Sequence, residues 1–338
     1  MATKAKSNVS AYCTFFDSGY LSRGLAMIES VRRFDTVSPI YVLALDDIVA
    51  DYLGARKDLD VTVLRIDQLE KFAPELLTIK TTRSRMEYYF TCTPQLFKYI
   101  FSLLKTPGAS ISYLDADLFF YSDPRQIRQA LGDFSVGITE HRLFNPPKIQ
   151  QAYGRFNAGF LTIRDTVDGN RVLDWWAKRA LEWCYDKPSE GRYANQGYLN
   201  WFPDFEGVLI YPSAGMNTAP WNTRRHRFTL SPQGEVRVDG DPLVFFHFHG
   251  VRKKGERFVT SELIYGSRLN KITRDHVYKP YVTALSHQDD VVERAITAPA
   301  KMNHRGNGIS GLIGRARKNV VDVLTVVTGN SLPAPRGN

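Results

Sequence analysis

Two acids spaced one residue apart interrupt an apolar run at Tyr113-Leu114-Asp115-Ala116-Asp117-Leu118-Phe119-Phe120. Where a buried strand ends and loses its regular pleat, both carboxylates can turn toward one ligand. Oxygen donors of this kind suit a hard divalent cation, Mn2+ or Mg2+, and such a cation binds a diphosphate. The plain alternative is a solvated turn after a strand. The apolar flanks weigh against it, because acids set among apolar residues need a partner or water. A second group stands at Phe245-Phe246-His247-Phe248-His249-Gly250-Val251-Arg252-Lys253. An imidazole can complete an aspartate metal site, a glycine lets backbone approach a phosphate, and Lys253 supplies a point charge for a diphosphate. His247 and His249 would share one strand face, so periodicity does not choose between them.

The elements that must position these groups read as an alternation of strands and helices. Apolar runs at 9–16, 40–45, 61–66 and 110–114 predict strands, and helices are expected over 21–34 and 94–104, the latter opening on Pro94. Nearly continuous apolar strands between helices imply a mainly parallel sheet covered by helices, with ligands beyond the carboxyl ends of the strands. Asp17, Asp46, Asp47, Asp115 and Asp117 all fall at such ends. Further strands are expected at 135–139, 159–164 and 243–248, a long helix over 165–185 and a short one over 195–202. After Gly250 the pattern changes to a basic loop at 251–258 and then to helical runs with no clear sheet.

Composition narrows the class. The 338 residues are 43% hydrophobic and 12% aromatic, ample for a filled core, and no window reaches the roughly 18 unbroken apolar residues of a membrane span. Three widely spaced cysteines (Cys13, Cys92, Cys184) suit neither a disulfide framework nor a zinc site, and the opening MATKAKSNVS lacks the apolar stretch of a leader. A cytoplasmic location is therefore expected. Of the net charge of +9, residues 295–338 carry +5, from six Lys/Arg and one acid. The body is only mildly basic and shows no groove-like run of basic and aromatic residues, so a nucleic-acid partner is not expected.

Together these residues resemble metal-dependent glycosyltransferases of the GT-A fold, and most closely those similar to glycosyltransferase family 8. Asp115 and Asp117 match the D-x-D strand end of that family. Phe156-Asn157-Ala158-Gly159 is similar to its F-N-[SA]-G segment, Asn195-Gln196-Gly197-Tyr198-Leu199-Asn200 to its D-Q-x-x-L-N segment, and His247-x-x-Gly250-x-x-Lys253 to its H-x-x-G-x-x-K motif. The wider text, with Trp175-Trp176 and Ala219-Pro220-Trp221-Asn222, resembles a bacterial branch associated with surface-polysaccharide synthesis. The resemblance covers residues 9 to 255. It implies an α/β fold with a mainly parallel central sheet flanked by helices, a catalytic domain at 1–255 and a helical C-terminal extension at 256–338. It further implies a nucleotide-sugar donor, read as a UDP-sugar, and a glycan or lipid-linked saccharide acceptor. Transfer would proceed with retention, with Mn2+ or Mg2+ held by Asp115, Asp117 and His247. Gln196 and Lys253 take catalytic roles in that reading. Asp17, Gly250 and Lys253 meet the nucleotide and diphosphate, and His141, Arg142, Asn157, Gly159 and Asn195 meet the donor sugar. Two departures stand out: Asn195 occupies the position of an acid, and Lys254-Gly255 follows Lys253 where the family has Pro-Trp.

Two other readings compete. A haloacid-dehalogenase-type phosphohydrolase also ends a strand in D-x-D, but the later Lys and acidic pair that it requires are not evident. A non-catalytic nucleotide-sugar or glycan binder is motivated by Asn195. Trp175, Trp176 and Trp183 are spaced for helix packing, whereas Trp201 and Trp221 are candidates to stack on an acceptor sugar. Residues 309–327 form a basic amphipathic stretch, expected either to lie on an anionic membrane surface at the inner face of the cell membrane or to pack on the body or a partner chain.

Overall fold

A computed structural model describes residues 9–144, 146–296 and 321–335. Its centre is a seven-stranded sheet in the order β3-β2-β1-β4-β7-β6-β8. The strands are β1 (Ser10–Phe16), β2 (Ile40–Ala44), β3 (Thr62–Arg65), β4 (Ser110–Leu114), β6 (Val136–Glu140), β7 (Phe156–Arg164) and β8 (Val208–Ile210), with β5 (Leu118–Phe120) lying outside this sheet. Strands β3, β2, β1 and β4 run parallel, β7 runs against both neighbours, and β8 is parallel to β6. The sheet is thus mostly parallel and flanked by helices, as expected.

Alternation along the strands explains the two-sided core. Ala11 and Cys13 face one layer with Phe97, Ile100 and Trp176. Tyr12 and Phe16 face the other with Leu25, Ile28 and Val49. The helix that was expected over 94–104 begins earlier and runs Arg85–Leu104, with Pro94 in its interior. The Ser84 hydroxyl accepts from the Glu87 N–H and the Glu87 carboxylate accepts from the Ser84 N–H, so a capping box sets the true start. All three cysteines are buried and free.

The strand order changes direction at β1 and β4, which is where a parallel sheet opens a crevice at its carboxyl edge. Asp17 follows β1 and Asp115 follows β4, so the crevice lies between them. The C-terminal part is more mixed than a helical extension. It holds the helix Lys279–Ala295, packed on Leu21–Arg32, but it also contributes strands. After β9 (Phe228–Leu230), β10 (Val236–Val238), β11 (Asp241–Pro242) and β12 (Phe245–His247), a hairpin of β13 (Arg252–Lys254) and β14 (Arg257–Val259) is joined by β15 (Ser331–Pro333). This small sheet spans the expected boundary at 255, because Phe258 and Leu332 bury their side chains in the body's core.

One buried charge anchors the first crossover. Asp35 is fully buried and accepts from the Tyr12 hydroxyl at 2.9 Å, the Ser38 hydroxyl at 2.7 Å and the Arg128 guanidinium at 3.1 Å. Burial alone would raise its pKa, but the hydrogen bonds from Ser38 and Tyr12 outweigh it and hold the carboxyl at about 2. Its folded-state value lies below its unfolded one, so its contribution to stability is full above about pH 4 and fades as pH falls toward 2. Asp35→Ala is expected to destabilise the fold by about 3–5 kcal/mol, because Arg128 loses its partner. Urea unfolding at pH 7 and pH 3 checks this: the gap between wild type and variant should narrow at the lower pH.

Candidate metal and donor site

The Asp-Ala-Asp segment is the turn between β4 and β5. The Asp115 N–H donates to the Gly159 carbonyl at 2.8 Å, and the Leu118 N–H returns to the Asp115 carbonyl at 3.1 Å. β5 then pairs antiparallel with β12, in a register that sets His247 opposite Leu118. The Phe248 N–H donates to the Asp117 carbonyl at 2.9 Å. This pairing brings an imidazole 130 positions along the chain to the two acids: His247 Nε2 stands 3.0 Å from Asp117 Oδ1 and 3.8 Å from Asp115 Oδ2.

His249 joins them. One ligand atom from each of Asp117, His247 and His249 lies within 4.8 Å of the others. The family motif marks His247 alone; His249, in the turn just past β12, brings a second imidazole within reach of the same group. The Asp115 carboxyl also accepts from the buried Tyr113 hydroxyl at 2.8 Å, which aims it. Burial would lower the His247 pKa, but the charges of Asp117 and Asp115 raise it. Burial raises Asp115 further than His247 lowers it, with Asp117 adding repulsion. For Asp117, the charge and hydrogen bond of His247 overcome burial and hold it low. Two carboxylates and two imidazoles gathered at this turn could hold a hard cation. The donor set fits Mn2+ or Mg2+, and His247 Nδ1 is buried without a hydrogen-bond partner.

Gly159 explains how the site closes. A Cβ placed there would stand 2.6 Å from His247 Cε1, 2.7 Å from Asp115 Oδ2 and 2.8 Å from Asn157 Oδ1. β7 reaches this position through a bulge: Ile138 of β6 faces Leu161, while Thr139 faces Asn157. Such an excess of residues bends a strand and re-aims its side chains. Asn157 Nδ2 donates to Gln196 Oε1 at 3.1 Å and lies 3.3 Å from His141 Nε2. Gln196 Oε1 also accepts from the Ala158 N–H, and its Nε2 donates to the Tyr153 carbonyl. His141, Asn157 and Gln196 are therefore one connected group beside Gly159. Burial drives His141 down to about 4, so its imidazole is neutral at physiological pH.

Other expected site residues fall differently. The Arg142 guanidinium is directed to the carbonyls of Tyr211 and Met216, holding the 211–216 loop rather than reaching out to a sugar. Asn195 turns away as well: its Nδ2 donates to Thr93 Oγ1 on the Arg85–Leu104 helix at 2.9 Å. Asp17 accepts from the Gly19 N–H and pairs with Arg85 at 2.9 Å, so it caps a turn at the crevice edge. Gly250 has φ +75°, and a Cβ there would press on Ser261, whose hydroxyl donates to the His249 carbonyl. Lys253 is exposed on β13, with Asp289 close enough to feel its charge.

The two aromatic candidates separate. Trp201 packs beside Trp175 and Tyr198 at the edge of the fold. Trp221 is buried against His247, with ring centres 5.0 Å apart, and also touches His141, His249 and Tyr265. It walls the metal group. Arg23 is a further cation that no motif marks: it donates to the Val251 carbonyl at 2.9 Å and helps to keep Asp117 ionised.

Comparison with known proteins follows the same lines. The uncharacterized protein YfnF of Bacillus subtilis is 33% identical over 252 residues, covering 72% of this chain and 82% of YfnF. The chain belongs to the YfnF family. A second uncharacterized protein of the same organism, YfnD, is 29% identical over 292 residues, covering 84% of this chain and 91% of YfnD. No protein-family model matches. Among solved structures, the galactosyltransferase LgtC, in complex with donor and acceptor sugar analogs, superposes with a TM-score of 0.51 at 18% identity. The match covers 86% of this chain and 98% of LgtC. That likeness shows the fold: this member of the YfnF family has a GT-A glycosyltransferase architecture.

Proposed function

We propose that this chain is a metal-dependent glycosyltransferase that moves a sugar from a nucleotide-diphosphate donor, a UDP-sugar, to a glycan or lipid-linked saccharide with retention. The observation that carries the reading is the convergence of Asp115, Asp117 and His247 beside Gly159 at the carboxyl edge of β4, in a GT-A fold. Asp115, Asp117 and His247 would hold the cation, with His249 as a fourth donor, and the bound cation supplies positive charge for a departing diphosphate. The chain's own groups do the rest. Lys253 meets leaving-group charge from the β13 hairpin. The Gln196 amide, fixed by Asn157 and Tyr153, presents its dipole to the sugar's developing positive carbon. The acceptor oxygen bonds that carbon as the carbon–phosphate oxygen bond breaks, and the acceptor's proton passes to the departing phosphate oxygen, so no protein base is required.

Trp221 is buried and shapes the wall of the metal group, so it would position the imidazoles rather than stack on an acceptor sugar. No helix among the described residues is long and apolar enough to cross a membrane. Of the 309–327 stretch, 309–320 lie outside the described residues. The short helix 321–327 exposes Val323, Leu324 and Val327. Contact of this segment with an anionic membrane belongs to the same proposal.

A screen of UDP-sugars tests the reading, since slow donor hydrolysis needs no acceptor. UDP release is expected with Mn2+ or Mg2+ and should disappear in excess EDTA. Release that continues unchanged in EDTA overturns metal dependence, and the absence of any release or transfer overturns the enzyme reading.

A further inference from the structure

Two residues beyond Trp221, a cavity of about 460 Å3 opens between the 223–228 segment and residues 266–273. Its lining includes Thr223, Arg224, His226, Ser267, Arg268 and Asn270, and among the described residues no carboxylate lines it. Neither arginine is neutralised among the described residues. Arg224 lies over the Phe144 ring, 4.1 Å from its centre, and reaches the Gly266 carbonyl at 3.4 Å. Arg268 is exposed and makes no hydrogen bond or ion pair there. Two guanidiniums beside hydroxyl groups form a binding surface for phosphate oxygens, which accept from planar donor pairs.

His226 is the second, independent sign. Its side chain is only 6% exposed, and its Nδ1 lies 2.7 Å from Asp239 Oδ2. Its Nε2 is buried without any partner in the protein. A buried polar atom left unsatisfied on a cavity wall indicates that the protein alone does not complete the site. The wall itself is well braced. Thr223 Oγ1 donates to the buried Glu262 carboxyl at 2.5 Å and stands 2.9 Å from Ser267 Oγ, and the Arg224 N–H donates to the same Ser267 oxygen. Glu262 lies behind Thr223, and burial pushes its carboxyl up to about 7.

We propose that this cavity binds the phosphate or diphosphate group of a phosphorylated ligand through Arg224 and Arg268, with the His226 Nε2 lone pair accepting from a hydroxyl of the ligand. The volume exceeds that of a bare phosphate, so part of the attached organic group enters as well. The cavity and Trp221 share one loop. If the glycosyltransferase reading holds, on which this last step rests, a saccharide acceptor anchored here by its phosphate would extend toward Trp221 and the metal group.

The test is calorimetric titration of the full chain with pyrophosphate in EDTA, which keeps cations out of the Asp–His site. Wild type is expected to bind, and Arg268→Glu and the double variant Arg224→Gln/Arg268→Gln are expected to bind about tenfold more weakly or worse. Equal affinity in all three proteins, or displacement by sodium chloride of matched ionic strength, overturns the proposal. Competition by farnesyl diphosphate alone assigns the site to a lipid-linked phosphate. Competition by glucose 1-phosphate alone assigns it to a free sugar phosphate, and either result supports the site. UDP binding with Mn2+ is followed in parallel and should be unchanged in the variants. Loss of pyrophosphate binding with UDP binding intact removes only the anion site, whereas wild type that takes pyrophosphate but never UDP removes only the donor reading.

Discussion

Asp117→Asn is expected to lower metal-dependent turnover of a UDP-sugar by about 10^3-fold or more while leaving the fold intact. The side chain is buried and shares its Oδ1 with His247 Nε2 at 3.0 Å. Burial works against its charge, but the His247 imidazole outweighs burial, so Asp117 is a carboxylate wherever the enzyme would work. Asparagine has the same shape, lacks the charge, and offers an amide in place of one cation-binding oxygen. Repulsion with Asp115 also falls, which offsets part of the lost contact with His247. The melting temperature should therefore move by no more than about 4 °C. Turnover with each UDP-sugar found active in wild type, together with Mn2+ affinity by electron paramagnetic resonance, checks this. Wild-type turnover in the variant would remove Asp117 from the metal group.

Gly159→Ala is expected to damage the same site from the opposite side. The added methyl would meet His247 Cε1, Asp115 Oδ2 and Asn157 Oδ1, all within 2.8 Å, closer than carbon atoms normally approach. His247 is pinned by the β5–β12 pairing and Asp115 by Tyr113, so the site must open to relieve the clash. Misplaced ligands of this kind lower metal affinity by about 10- to 100-fold, and turnover should fall at least as far. Gly54 supplies the control. It lies in the helix Asp47–Ala55, and a Cβ there meets nothing within 4 Å. Gly54→Ala should therefore keep full Mn2+ affinity and stabilise the chain by about 0.5–1 kcal/mol. Unchanged Mn2+ affinity in Gly159→Ala would mean that β7 yields at no cost to the site.

Much of the sheet is local information. A continuous apolar run such as Ile40–Ala44 can only be buried on both faces, which dictates strands covered by helices. The Asp-x-Asp turn was legible for the same reason, since acids at the end of such a run must meet a partner. The start of the Arg85–Leu104 helix was also written locally, in Ser84 and Glu87, although Pro94 is the more conspicuous signal. Proline at that point falls inside a helix whose packing on Val167–Glu182 tolerates one missing N–H.

The partners of these elements are a matter of tertiary structure. His247 meets Asp117 because β12 pairs with β5 in one register, and a slip of one residue would turn both imidazoles to the opposite face. Nothing near His247 in the chain specifies that register. The bulge that brings Gly159 against Asp115 depends equally on β6 and β4, far apart in sequence. Arg142 and Asn195 show the converse. The family resemblance placed both at the donor sugar, but the carbonyls of 211–216 and the hydroxyl of Thr93 take their hydrogen bonds. The sequence by itself determined β1 to β4, β6 and β7 of the main sheet, their burial and the chemical types available to a metal and a diphosphate. Only the folded chain decided which of those groups converge, because convergence follows from long-range strand register and from where a missing Cβ leaves room.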